Sequence, residues 1–421
     1  MRGSARHQVL TVAQAALALV ICYLFAVNIE AIPALQKSGT VVKNRHSEGF
    51  KSRMPAGINE SIWRRRIPSD NPMTDTKVSL GRELYFDKRL SVDGTVSCAT
   101  CHDPANAFTD HTVLAIGASS KFGARNAPTI LNAMFAELLF WDGRAASLEE
   151  QAKQPLTSPF EMGLRSNDAV VAQVVAVPDY REMFRRVFRQ EGITIDSIVK
   201  AIAAYERTQL SGNSPFDRFI SGDTNAITEA QKRGWELFKG KAKCIECHAF
   251  TTSSPFFTDF KFHNSGIGVN DNELHELTHR AEKMTLSDPR GHIDASVNAH
   301  QKDFSELGRF LVTRRSKDIG AFKTPTLRDV ELTTPYMHDG SIKTLLDVVR
   351  FYNRGGKNNP NLDEKLRPLN LNEEEMSNIV EFMRALTSDD VLRQVQCTKP
   401  QTRTAVTSET SGAQDKGTQH R

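Results

Sequence analysis

An all-α fold built as two tandem units is what this sequence predicts, and three observations predict it. Apolar residues recur at helical spacing, as at Ile195, Ile198, Val199, Ile202 and Tyr205, and again at Met376, Ile379, Val380, Met383 and Leu386. Alternating apolar runs of strand type are nearly absent. The pentapeptide Cys-x-x-Cys-His occurs twice, as Cys98-Ala-Thr-Cys101-His102 and Cys244-Ile-Glu-Cys247-His248, each behind a short amphipathic stretch and ahead of loop-rich sequence. That pentapeptide is the attachment signature of c-type haem. Its two thiols add across the haem vinyl groups, and the adjacent histidine is placed to ligate the iron. A zinc ribbon also pairs two Cys-x-x-Cys units but has no need of a histidine after each. Two cytochrome c-like haem domains in tandem, each with one covalently bound haem c, are therefore expected. A haem also brings apolar surface of its own, so a small unit around it needs fewer core side chains.

Taken in order, residues 1–31 read as a signal or anchor segment. Arg2, Arg6 and His7 precede an apolar run from Val9 to Ile29, broken only by Thr11, Gln14 and Asn28. Its length suits a membrane-spanning helix of ~20 residues better than the ~7–15-residue core of a signal peptide, and Ile29-Glu30-Ala31 is a poor cleavage site. Covalent haem c is assembled outside the cytoplasm, so the body is expected in the periplasm, held to the inner membrane by this helix. Residues 32–72 are polar and basic, including Trp63-Arg64-Arg65-Arg66, and read as a linker. Residues 73–226 carry the first haem motif and 227–390 the second. Within them Thr228 is placed to cap a helix bearing Trp235, Leu237 and Phe238. Asn372 followed three residues later by Glu375 forms a capping-box pattern. Residues 391–421 read as a disordered tail, rich in Thr, Ser, Gln and Lys beyond Thr398. Cys22 and Cys397 read as unpaired, so disulfides are not the scaffold. A net charge of +4, from 54 basic and 50 acidic residues, is too small and too evenly spread to argue for nucleic acid, and no nucleic-acid partner is expected.

One further motif, His275-Glu-Leu-Thr-His279, matches the His-Glu-x-x-His zinc helix. It lies in an insertion over 270–303 that also holds His292 and His300, but no third histidine follows at the spacing a zinc protease needs. Incidental metal binding is the most this loop suggests.

Several blocks remain: Asn126-Ala-Pro-Thr129, Phe140-Trp-Asp-Gly-Arg144, then Gln151, Pro155 and Glu161-Met162. Downstream stand Lys323-Thr-Pro-Thr-Leu-Arg328, Thr333-Thr-Pro-Tyr-Met-His-Asp-Gly340 and Val348-Val-Arg-Phe-Tyr-Asn-Arg-Gly-Gly356. Singly they have bland readings: Trp141 a core aromatic, Glu161 a solvated charge, Asn126 a turn starter, and Tyr352 a core residue on a stripe with Leu345, Val348 and Val349. Jointly, over about residues 73–390, they resemble the bacterial di-haem cytochrome c peroxidase and MauG family. The resemblance implies two helical cytochrome c domains with a calcium ion between them. It implies that His102 ligates a peroxidatic haem and His248 an electron-transfer haem. Glu161 matches the distal acid–base carboxylate, with Gln151 and Pro155 in its pocket, and Trp141 the indole between the haems. Asn126, Thr333 and Pro335 match the calcium ligands, oxygen donors suited to a hard cation. His338 is given a supporting role at the interface.

Two positions depart from the usual peroxidase. A histidine that caps the first haem follows an Ile-Gly in many members; here Ile116-Gly117 is followed by Ala118, and His111 is misplaced for that role. Tyr352 stands where ordinary peroxidases carry methionine and MauG-like members tyrosine, fourteen residues after His338 (352 − 338). A hard oxygen ligand in place of a thioether lowers the iron potential. The expected function is reduction of hydrogen peroxide, through high-valent iron, with electrons from a small periplasmic cytochrome c or cupredoxin. The alternatives are MauG-like oxidative maturation of a residue such as tryptophan on a partner protein, and a non-catalytic di-haem electron carrier. Against maturation, the position two residues before the second motif, a surface tryptophan in MauG, is Ala242.

Overall fold

The computed structural model describes residues 50, 53–268, 279–284, 286, 299–300 and 302–398. Its helices of six residues or more are α1 (Glu60–Arg65), α2 (Asp75–Phe86), α3 (Leu148–Thr157), α4 (Asn167–Val175), α5 (Pro178–Val187), α6 (Ile195–Glu206), α7 (Pro215–Ile220), α8 (Glu229–Lys239), α9 (Leu345–Asn353), α10 (Glu373–Arg384) and α11 (Asp389–Thr398). The only strand ladder among the described residues pairs β1 (Phe262–His263) with β2 (Phe322–Lys323). The all-α class stands.

Two helix crossings organise the chain, and a glycine makes each possible. Helix α2 starts at Thr74, whose hydroxyl accepts from the Lys77 N–H, and α6 at Thr194, in a capping box with Ser197. They cross so closely that a Cβ on Gly81 would lie 1.9 Å from the Ala201 carbonyl oxygen. Helices α8 and α10 start at the capping boxes Thr228–Gln231 and Asn372–Glu375. There a Cβ on Gly234 would lie 1.9 Å from the Asn378 carbonyl oxygen. Each crossing nucleates a core. Leu80, Leu84, Phe108, Phe184, Ile198 and Ile202 pack in the first half. Phe216, Trp235, Phe238, Phe257, Ile379 and Phe382 pack in the second. A third core joins the halves, where Phe135 stacks on Phe256 with ring centroids 4.3 Å apart.

Three sequence expectations are corrected. The linker ends well before residue 72: Ile58 and Trp63 are buried, and the Trp63 indole N–H donates to the Arg207 carbonyl at 3.1 Å. One indole on a two-turn helix is enough to dock the segment, although its neighbours Arg64, Arg65 and Arg66 are all exposed. The tail begins late, because α11 returns to the first half and buries Val391 and Val395, one turn apart, in its core. Cys397 is disulfide-bonded rather than unpaired. The apolar segment Val9–Ile29, the remainder of the linker and residues 399–421 lie outside the described residues. Among those described, no helix is long and apolar enough to cross a membrane.

Candidate active site

Both motif histidines are held alike. The Nδ1 of His102 faces the Phe108 carbonyl at 3.3 Å, and that of His248 the Phe257 carbonyl at 3.0 Å. Both carbonyls belong to residues in the left-handed region, Phe108 at φ 60° and Phe257 at φ 52°, which turn the backbone toward the ring. Donating Nδ1–H to a carbonyl fixes the tautomer and leaves Nε2 as the ligand atom. Burial pushes both imidazoles below their usual range, favouring the neutral form that binds metal. The two pairs of motif cysteines are free thiols, so nothing competes with thioether formation. The donor sets thus fit two covalent haems: a cysteine pair and one oriented, neutral histidine in each half.

A second symmetry was legible in the sequence and missed. From Asn126 to Asn353 the blocks repeat at a constant offset: Asn132 and Asp329 (329 − 132 = 197) both stand in the left-handed region, as do Phe140 and Met337. The bridge Leu139–Ala145 recurs as Tyr336–Ile342, and α3 beginning at Leu148 recurs as α9 beginning at Leu345. The shared Pro-Thr and Asp-Gly pairs at this spacing were the available signal. On this register Pro155 is the counterpart of Tyr352 (352 − 155 = 197). The second half therefore presents a phenol where the first presents a pyrrolidine ring, which has no donor atom to offer a metal.

One cavity gathers the first-half residues. Cys98, Cys101 and His102 line it, with Gln151 and Pro155 of α3, Glu161, Asn126 and Trp141. Arg144 enters it, held by Asp142 at 3.0 Å and by Gln154 at 2.8 Å. The Ile116–Ala118 turn packs on the Glu161 backbone, and the Ala118 N–H donates to the Glu161 carbonyl at 2.7 Å. Ala118 brings only a buried methyl to this turn. His111 is engaged elsewhere, with Nε2 2.8 Å from the Leu332 carbonyl. Burial acts to raise the Glu161 carboxyl, but His300 and then Arg144 more than offset it and hold it below the usual carboxylate range.

Further titratable residues line this cavity beyond those assigned from the sequence. Glu206, at the end of α6, is pushed up to about 8 by burial, and its Oε2 has no hydrogen-bond partner. Lys323 comes from the second half; burial lowers its ammonium to about 8. His300 arrives from the insertion. A glutamate on an apolar helix, a strand lysine and a histidine far downstream give no local sign of convergence.

In the second half, Tyr352 on α9 lies beside the motif. Its phenol is pushed well above its usual value by burial, then by the Cys247 and Cys244 sulfurs. Near Cys247, His263 donates from Nδ1 to Asp363 at 2.6 Å and from Nε2 to Asp259 at 2.9 Å. Burial opposes its charge, but Asp259, Cys247 and Asp363 raise it above the usual imidazole range. The zinc-like motif gains no support: His275 and His292 lie outside the described residues, and His279 is exposed beside Glu282.

Trp141 connects the halves. Its indole N–H donates to the Asn126 carbonyl at 2.9 Å and its own carbonyl accepts from Lys323 at 2.8 Å. Two residues on, Pro325 lines the first cavity while its backbone faces the His248 ring. The three residues matched to calcium share one neighbourhood: the Asn126 amide donates to the Thr112 carbonyl at 2.8 Å, and His111 ties the same segment to Leu332, next to Thr333. Pro335 follows a cis peptide bond there. His338 is buried, 2.8 Å from Glu306, and stacks on Phe322.

Fold and site together fit a two-haem c-type cytochrome with a cavity beside the first haem motif. The family model for di-haem cytochrome c peroxidases matches residues 75–225. The chain is 37% identical over 335 residues to the cytochrome-c peroxidase IdrP1 of Pseudomonas sp. strain SCT, covering 77% of this chain and 84% of that protein. It is 38% identical over 325 residues to the methylamine utilization protein MauG of Methylorubrum extorquens, covering 76% and 81%. Among solved structures, a MauG-like protein associated with microbial copper homeostasis superposes with a TM-score of 0.65 at 30% identity, over 83% of this chain and 97% of that one. The chain belongs to the di-haem cytochrome c peroxidase and MauG family, and it is an oxidoreductase of the cytochrome-c peroxidase class.

Proposed function

We propose that this protein reduces hydrogen peroxide in the first-half cavity, with electrons delivered through the second half by a small periplasmic cytochrome c or cupredoxin. One observation carries the reading. Glu161, Gln151 and Pro155 share a cavity with His102, and the residue at the register of the second-half ligand is a proline. A haem held by Cys98, Cys101 and His102 would supply an iron able to bind peroxide and accept its oxidising equivalents. Glu161, held ionised, takes the first proton of peroxide and returns it to the departing oxygen. Arg144 stabilises negative charge beside it, and Gln151 orients the bound molecule. Trp141, between the cavity and the Lys323–Pro325 segment, relays electrons from the second site, where His248 and Tyr352 would hold the other haem. Asn126, Thr333 and Pro335 would hold a calcium ion that stiffens this junction.

Tyr352 favours a second, MauG-like reading, in which oxidising equivalents are held and spent on a partner protein. Against it, Ala242 is buried and Trp235 lies within the aromatic core of the second half, so neither position offers a surface tryptophan for long-range oxidation. Peroxide reduction is therefore ranked first. Stopped-flow mixing of the haem-loaded ferric protein with peroxide tests the assignment. Glu161→Gln should slow the reaction by roughly 10²–10⁴-fold, the usual worth of a positioned acid–base group, with haem content unchanged. An undiminished rate would remove Glu161 from its role.

A further inference from the structure

We propose that His300, delivered from the 270–303 insertion, is a positioning residue of the distal cavity that orients the Glu161 carboxyl for proton transfer. The inference rests on the peroxidase reading above and extends it. His300 lines the same cavity as His102 and Glu161. Its Nε2 stands 3.6 Å from Glu161 Oε2, slightly beyond hydrogen-bond length. That oxygen is buried and accepts no hydrogen bond. The imidazole stacks flat on Phe160, with centroids 5.4 Å apart and planes 1° from parallel, so the ring has a defined orientation. The residue before it, Ala299, is buried in a small core with Leu307, Phe310 and Ile319. Ala299 is thus anchored in the second half while His300 lines the first-half cavity. Arg144 also faces Glu161, and it is already committed to Asp142 and Gln154.

The chemistry follows from this placement. A carboxylate that must take a proton from peroxide and give it back has to be ionised at the start and must keep one lone pair aimed at the bound molecule. An imidazole nitrogen set against Oε2 serves both needs, leaving Oε1 to exchange the proton. The proton leaving peroxide goes to Glu161 and then to the departing oxygen, which leaves as water.

The test uses the full-length, haem-loaded ferric protein and its His300→Ala, His300→Gln, Glu161→Gln and double variants. Fluoride affinity, read by absorbance, reports the cavity without turnover, because fluoride enters as the acid and needs a distal base for its proton. His300→Ala should weaken fluoride binding and slow the peroxide reaction by roughly 10–100-fold, the usual cost of losing a partner behind a reacting group. His300→Gln, which keeps an N–H donor, should recover part of both. The double variant should be little worse than Glu161→Gln alone, because the two act as one unit. Fully additive losses, or unchanged fluoride affinity in His300→Ala while Glu161→Gln remains impaired, would overturn the inference and leave the peroxidase reading intact. A resting EPR signal that turns from low spin to high spin in His300→Ala would overturn it as well, by making His300 an iron ligand. No effect of Glu161→Gln on peroxide would instead sink the reading beneath it.

Discussion

Replacing Gly81 by alanine tests the architecture that holds the first haem site. The added carbon would lie 1.9 Å from the Ala201 carbonyl oxygen, 2.6 Å from its carbon and 3.1 Å from Tyr205 Cβ. The first two are backbone atoms of α6, so no rotamer change relieves them. Restoring an ordinary contact of ~3.4 Å requires α2 and α6 to part by ~1.5 Å, and a gap of ~0.5–1 Å already forfeits a quarter to a half of the dispersion energy across an interface. Leu80, Leu84, Ile198 and Ile202, all at most 1% exposed, meet at this interface. The expected cost is ~3–5 kcal/mol, the range of a large core truncation, against a typical domain stability of ~5–15 kcal/mol. Gly234→Ala repeats the perturbation against Asn378 in the other half. Each variant should lose thermal stability and yield about one haem per chain instead of two by pyridine haemochrome, Gly81→Ala losing the first and Gly234→Ala the second. Gly123→Ala, whose Cβ would meet nothing closer than 3.6 Å, is the control and should match the parent. Two haems and an unshifted melting curve in Gly81→Ala would refute the argument.

Other expectations follow from single contacts. Arg328 and Asp217, 1% and 3% exposed, form a two-pronged pair at 2.8 and 2.7 Å that ties the second half to α7. Asp217→Asn leaves a buried guanidinium poorly compensated and should cost ~3–5 kcal/mol in thermal unfolding. Glu206, pushed up to about 8, is protonated when folded and ionised when unfolded between its ordinary value near ~4.5 and that point. The folded protein binds the extra proton there, so stability should fall as pH rises from about 5 to 8; Glu206→Gln should flatten that slope and raise the melting temperature at pH 8. Tyr352→Met should raise the potential of the second haem by on the order of 0.1 V or more, within the ~0.8 V that axial ligands span. Spectroelectrochemical titration reads this, and an unmoved potential would separate Tyr352 from the iron.

Much of this was legible in the residues. Helical spacing marked α6 and α10, and a capping box marked α10, because both signals are local, and the haem motifs declared themselves by their pentapeptide pattern. The glycine crossings were not legible: Gly81 and Ala201 are far apart in the chain, and a missing side chain leaves no pattern until two backbones meet. The docking of α11 rests on two valines, too few to distinguish from a polar tail. Trp63 was read with the arginines beside it, although a single buried indole outweighs three solvated cations in placing a segment. The repeat that aligns Pro155 with Tyr352 was present throughout, and reading it would have argued from sequence that the two haem sites differ in coordination. His300 is the reverse case, since only its place beside Phe160 and Glu161 in the structure shows where its ring lies.

The central claim is that one haem site has an open distal face while the other is closed by Tyr352. Anaerobic titration of the fully ferric protein with hydrogen peroxide, followed by EPR, addresses it directly. The account predicts one high-spin and one low-spin signal at rest, both diminishing at once on adding peroxide with no prior reduction. Two low-spin signals that ignore peroxide, before and after one-electron reduction, would contradict it.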